Sequence, residues 1–291
     1  MYVKDVAAST EFYEKAVHLE VSEQRGDKVF LRGGMPHHWI AIQLAPVGKA
    51  PGLAALGIEV KGKAALDEVA EKLRARGIPF RAGDGLEAER VAHSIHFDDP
   101  SGNPLTVYTD MVSMPTPPAP RRVEFLDIQH VVLLVGDIDR AVDFYGDVLG
   151  MRVSDWFEHT TAFMHFANGW HHGIGLGSGM GRGTSGLNHI CFHTPDLDTT
   201  MRARATVQRL GLKITSDLLK HGPSTSTGFY FQGPDTIIEN SFGARWFDVD
   251  QPHTPRILPR TRESVDVHWA GLENLELGYL KTERHDTIPA G

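Results

Sequence analysis

One stretch near the C-terminal end, HGPSTSTGFYFQGPDTIIE at 221–239, carries a histidine, a tyrosine and a glutamate within nineteen residues. Glu239 is the informative one. It follows Ile237 and Ile238 directly, and a carboxylate in such apolar company is unstable unless something positive meets it. A metal ion is such a partner. The runs Phe229–Phe231 and Ile237–Glu239 are aromatic or β-branched and are split by a Gly-Pro turn at 233–234, which predicts two strands joined by a tight connection.

Those strands belong to a repeated unit. Val3-Lys4-Asp5-Val6 followed by Glu11-Phe12-Tyr13 returns 132 residues later as Val135-Gly136-Asp137-Ile138 followed by Asp143-Phe144-Tyr145. Gly57 falls on His189 at the same offset, and Pro100 on Pro234 at 134, so a two-residue insertion lies between. A colinear series of this kind predicts duplicated domains. Residues 1–113 form the first domain and 123–250 the second. Met114 to Arg122 joins them, its four prolines forbidding a continuous helix or sheet. Residues 251–291 are a C-terminal extension.

Each half predicts strand, helix and strands, twice over. Ser9 to Val17 is expected as a helix with Ser9 as its cap. Lys28–Phe30 and Trp39–Leu44 are expected strands. Ala64–Arg76 places Leu66, Val69, Ala70 and Leu73 on one helical face, stopped by Gly77. Asp198–Leu210 is its counterpart. The fold expected is α+β: four βαβββ modules in two duplicated domains. The strand matching Asp127–Leu134 falls before Met1, so the first module is expected to lack most of its opening strand.

Composition narrows the function. A net charge of −8 without a Lys/Arg cluster argues against nucleic acid or an anionic membrane. No apolar run reaches bilayer length. The single cysteine, Cys191, excludes an intrachain disulfide and fits a reducing cytoplasm.

The 221–239 stretch resembles the signature of the type I extradiol ring-cleavage dioxygenases of the vicinal oxygen chelate superfamily: a histidine, five to seven residues, an apolar-Tyr pair, a Pro turn and a ligand glutamate. Gly233 and Thr236 depart from that pattern at turn positions. The resemblance implies that the paired modules curl their sheets around a cavity. The resemblance implies a metal held by His130, His189 and Glu239, a two-histidine, one-carboxylate facial set suited to Fe(II), with Mn(II) also compatible. The first half offers Gly57, Leu105 or Thr106 at two of these places, so the resemblance implies metal in the second half alone. It further implies catalytic roles for His172, the second histidine of a His-His pair, and for Tyr230 and His221, the last expected in a Gly-Pro-rich loop. His37-His38 occupies the corresponding place in the first half. Asp248 and His253 read as surface residues. The implied reaction opens a catechol next to its diol with O₂, giving a muconic semialdehyde-type product, in a homo-oligomer. Two other readings share the fold: a non-catalytic bleomycin-resistance-type binding protein, and a 4-hydroxyphenylpyruvate dioxygenase-like enzyme.

Overall fold

The computed structural model describes residues 1–179 and 184–268. The first half runs β1 (Tyr2–Val3), α1 (Val6–Lys15), β2 (Glu20–Arg25), β3 (Lys28–Arg32) and β4 (Ile40–Leu44). It continues with β5 (Leu56–Glu59), α2 (Gly62–Ala75), β6 (Arg81–Ala82), α3 (Gly85–Glu89), β7 (Val91–Asp98) and β8 (Pro104–Met111). The second half repeats the order with β9 (Asp127–Val135), α4 (Ile138–Leu149), β10 (Arg152–Phe157), β11 (Thr161–His165) and β12 (Ile174–Gly177). Its last module is β13 (Ser185–His193), α5 (Leu197–Arg209), β14 (Ile214–His221), β15 (Thr227–Gln232) and β16 (Ile237–Phe242). A C-terminal segment adds β17 (Arg256–Leu258), α6 (Arg262–Val265) and β18 (Asp266–His268). Residues 269–291 of the expected extension lie outside the described residues. No helix among the described residues is long and apolar enough to cross a membrane.

The halves differ in how their modules join. In the second, β9 pairs antiparallel with β13 from Val135↔Ser185 to Asp127↔His193, fusing both modules into one ten-stranded sheet. In the first, β1 has only two residues, and two four-stranded sheets remain separate. A bridge between Tyr2 and Gly52 is the remnant of the missing seam.

Helix starts follow the repeat. Asp5, not the expected Ser9, caps α1: its carboxylate accepts from the Ala8 N–H at 3.0 Å. Ser9 sits inside the helix, buried, with its hydroxyl 3.4 Å from Asp235. Asp137 caps α4 in the same way, accepting from the Arg140 N–H. An aspartate accepts from an amide three residues on as well as a serine does, and here it stands where the extended chain turns. Leu66, Val69, Ala70 and Leu73 of α2 are all buried as the periodicity requires. Gly77 and Gly211, with φ of +65° and +66°, follow α2 and α5 in the left-handed conformation that glycine adopts without strain.

The halves dock through reciprocal contacts. Tyr145 of α4 donates to Asp99 at 3.1 Å, in the β7–β8 turn of the other half. Phe12 of α1 packs on Phe231 at 6.1 Å, beside the β15–β16 turn. The hairpin that carries Glu239 therefore rests on the first domain.

Candidate metal centre

His130, His189 and Glu239 lie on β9, β13 and β16, three adjacent strands of the large sheet. Alternation along each strand turns the three side chains to one face. His130 Nε2 and His189 Nε2 are 3.3 Å apart, and each faces Glu239 Oε2, at 3.1 and 3.4 Å. Ligand atoms about 2.1 Å from a common centre and at right angles stand about 3.0 Å apart, so the spacing fits one dication. Glu239 is fully buried, yet neither of its oxygens accepts a well-aligned hydrogen bond among the described residues. A buried carboxylate left this way costs several kcal/mol unless a cation meets it, on the order given for isolated buried charges. The residues fit a metal. Within the described residues they are the one cluster of three ligand-type side chains so arranged.

Neighbours orient these ligands. The Asn188 side-chain carbonyl accepts from His189 Nδ1 at 2.8 Å, which leaves Nε2 its lone pair for a metal. Burial opposes ionisation of Glu239, but the imidazoles of His130, His189 and His221 outweigh it and hold the carboxyl well below its usual range. Burial pushes the His189 imidazolium down.

His221 was expected in a Gly-Pro loop. It is instead the last residue of β14, and the loop begins after it. Its Nδ1 lies 2.5 Å from Asp266 Oδ1, and its Nε2 lies 2.9 Å from the Tyr230 hydroxyl and 3.3 Å from Glu239 Oε1. Burial works against a charge on His221, yet Asp266 and Glu239 lift it to about 10; a dication on Glu239 opposes that lift. His172 is buried, its ring tilted on that of His130 with centroids 4.0 Å apart. Burial, then the neighbouring His130 and His171, holds it well below the usual imidazole range.

His130, His172, His189, His221 and Tyr230 line one cavity. Val132, Phe157, Phe163, Pro223 and Val265 form its apolar walls, and Thr161, Ser224 and Arg260 its polar ones. Asp248 is exposed, and half-buried His253 hydrogen-bonds the Ser154 carbonyl at 2.7 Å, so neither reaches the cavity. Asp266 and Asn188 escaped the reading of the sequence. Asn188 adjoins a candidate ligand and was within reach of it; Asp266 lies forty-five residues beyond His221, and only the antiparallel pairing of β18 with β14 brings the two together.

Two domains of paired modules, one with a buried two-histidine, one-carboxylate set that fits a metal, are the architecture of a vicinal oxygen chelate protein. Residues 1–107 and 127–246 match the model of the Glyoxalase/Bleomycin resistance protein/Dioxygenase superfamily, and the chain belongs to that superfamily. It is 31% identical to the biphenyl-2,3-diol 1,2-dioxygenase of Pseudomonas sp. (strain KKS102), over 89% of this chain and 92% of that one. The iron-dependent extradiol dioxygenase of Rhodococcus jostii is 27% identical over 64% of this chain and 68% of its own. A crystal structure of catechol 2,3-dioxygenase superposes with a TM-score of 0.76 at 25% identity, covering 88% of this chain and 90% of that one. The Mn(II)-bound glyoxalase from Novosphingobium aromaticivorans superposes at 0.83 with 22% identity, covering 94% and 90%, a likeness of fold alone. Within its superfamily the chain is extradiol dioxygenase-like.

Proposed function

We propose that this protein is an Fe(II)-dependent extradiol dioxygenase that opens a catecholic ring next to its diol, with O₂, to a muconic semialdehyde-type product. The observation that carries this reading is the convergence of His130, His189 and Glu239 at 3.1–3.4 Å beside a cavity with aromatic and aliphatic walls. In this reading residues 1–113 support the β15–β16 hairpin, 114–122 link the domains, and 123–250 hold the chemistry.

Fe(II) held by the three ligands supplies the redox chemistry with O₂ and lowers the pKa of a coordinated phenol; Mn(II) accepts the same set. The chain's own residues do the rest. Phe157, Phe163 and Val132 receive the ring and keep water from it. Asp266 holds His221 so that its Nε2–H donates to the Tyr230 oxygen, and the Tyr230 hydroxyl proton then turns to a diol oxygen. His172, beside His130, takes a proton in the cavity and returns it as the ring opens.

Anaerobic purification with Fe(II), metal analysis and a panel of 3- and 4-substituted catechols on an oxygen electrode test the reading. One iron per chain, O₂ uptake and a yellow ring-fission product are expected. Isomerase chemistry would turn over without O₂, and absence of uptake across the panel would overturn the proposal.

A further inference from the structure

Behind His172 runs a chain of contacts that the proposed chemistry has not used. Asp155, on β10, is fully buried. Arg256 reaches it with Nε at 2.8 Å, Nη2 at 2.6 Å and its backbone N–H at 3.1 Å, and Arg245 adds Nη1 at 3.4 Å. A carboxylate so surrounded by guanidinium is ionised and can only accept. Its Oδ2 lies 2.8 Å from His171 Nε2, so that nitrogen carries a hydrogen. His171 is fully buried, and burial keeps it neutral against the pull of Asp155. Its Nδ1 therefore has a lone pair. That lone pair faces His172 Nδ1 at 3.0 Å, with the two rings perpendicular at 90°. Two bare imidazole nitrogens would repel at this distance, so His172 carries its hydrogen on Nδ1. The remaining nitrogen, Nε2, is then hydrogen-free in a ring that lines the cavity.

We infer that Asp155 is a positioning residue for the reaction: through His171 it fixes His172 as the Nδ1–H tautomer, so that Nε2 meets the substrate as a proton acceptor. A carboxylate that sets an imidazole's tautomer through its far nitrogen is an established device, here extended by one more ring. The inference rests on the reading of His172 as the group that handles the proton. The first half supplies a control, because the same chain recurs there with no ligand set beside it. Glu23 lies 3.1 Å from His37 Nε2, and His37 Nδ1 lies 3.1 Å from His38 Nδ1. The chain is a device of the fold; only in the second half does its last ring lie against a metal ligand.

The test uses the full chain with ¹⁵N-labelled histidine and Zn(II) as a diamagnetic occupant, read by two-bond ¹H–¹⁵N correlation at the His172 ring, with Fe(II)-loaded kinetics in parallel. The wild type should show His172 protonated on Nδ1 alone. Asp155→Asn should mix its tautomers and lower kcat about 10-fold or more, the scale of losing a partner that orients a site residue, with KM and metal content unchanged. His171→Phe leaves Asp155 its arginines and should do the same, which keeps the test open if Asp155→Asn does not fold. Glu23→Gln should alter neither the His172 signals nor kcat. A hydrogen on Nε2 in the wild type, or a His172 tautomer unchanged in the variants that fold, overturns the inference, and lost kcat with an unchanged tautomer does so too. If the iron protein turns over no catechol at all, the function proposed above fails while the tautomer readout still decides this one.

Discussion

The two halves of this chain share almost everything that folds and almost nothing that reacts. Each has an aspartate-capped helix, a carboxylate–His–His chain and a pair of long strands joined by a turn. In the second half Tyr230 stands across from Glu239; in the first, His96 stands across from Thr106. In this hairpin register Thr106 takes the place of Glu239. Thr106 is met locally: His96 contacts its hydroxyl at 2.9 Å and Glu89 at 2.8 Å. Around Glu239 the groups are left facing one point. The difference is local: His96 answers Thr106 with a hydrogen bond, whereas Glu239 faces two imidazoles across a gap that fits an ion.

The strongest way to break that comparison is to exchange its two ends. Glu239→Ala should lose both the metal and all measurable turnover, since a facial set with one ligand removed no longer balances the ion. Thr106→Ala should bind the same metal per chain as wild type and keep its kcat. Metal analysis on both variants decides. Two metals per chain in the wild type, or full retention after Glu239→Ala, would contradict the assignment.

Next in size is His221. His221→Asn keeps a short polar group but ends the Asp266–His221–Tyr230 chain. Metal content should hold while kcat falls by about 10²–10⁴-fold, the range for a positioned acid or base. Loss of metal in that variant would make His221 a ligand and void the role.

Much of this was legible in the residues, for reasons that differ from place to place. The duplication shows because Asp5 and Asp137 cap their helices and Tyr13 and Tyr145 are buried on them in both halves, and α2 is readable because a buried face repeats at helical spacing. Glu239 showed because a charge after two isoleucines demands a partner. The cap of α1 was misjudged because serine and aspartate both serve there and only the backbone's turn at Asp5 decides. Gly222 and Pro223 after His221 read as a loop, but β14 runs through His221 and ends just before them. Asp266 could not be seen: its partnership exists only through strand pairing across the sheet edge, and no local pattern records that.

A smaller effect separates the two His-His pairs. His171-His172 and His37-His38 meet at nearly the same distance and angle, and burial lowers both second histidines, His38 to about 3. If the pair served folding alone, His172→Phe and His38→Phe would cost similar stability and spare the chemistry. His172 lies against His130, so its loss should lower kcat about 10²-fold at unchanged metal content, whereas His38→Phe should change kcat less than about threefold. Equal effects on kcat would reduce His172 to a structural residue.

The smallest effect compares the carboxylates that begin the two chains, in acid. Arg90 first and Arg25 after it hold Glu23 down to about 2, against some desolvation. Burial opposes ionisation of Asp155, and Arg256 and His171 overcome it, leaving the carboxyl well below its usual range. In both the folded state binds its proton more weakly than the unfolded chain. The stability they contribute is therefore present above the unfolded pKa and disappears as pH falls through the folded one. For Glu23 that window runs from about 4.5 down to about 2. Glu23→Gln should lower Tm slightly at pH 6, and the deficit should close across that window and shrink in high salt, because this carboxylate is partly exposed and screened. Asp155→Asn, fully buried among its arginines, should show the larger deficit at pH 6 and resist salt. Thermal melts at stepped pH read both. A Glu23→Gln deficit that persisted at pH 2 would mean the ion pairs with Arg25 and Arg90 are not its source, and the parallel between the two carboxylates would then hold for geometry only.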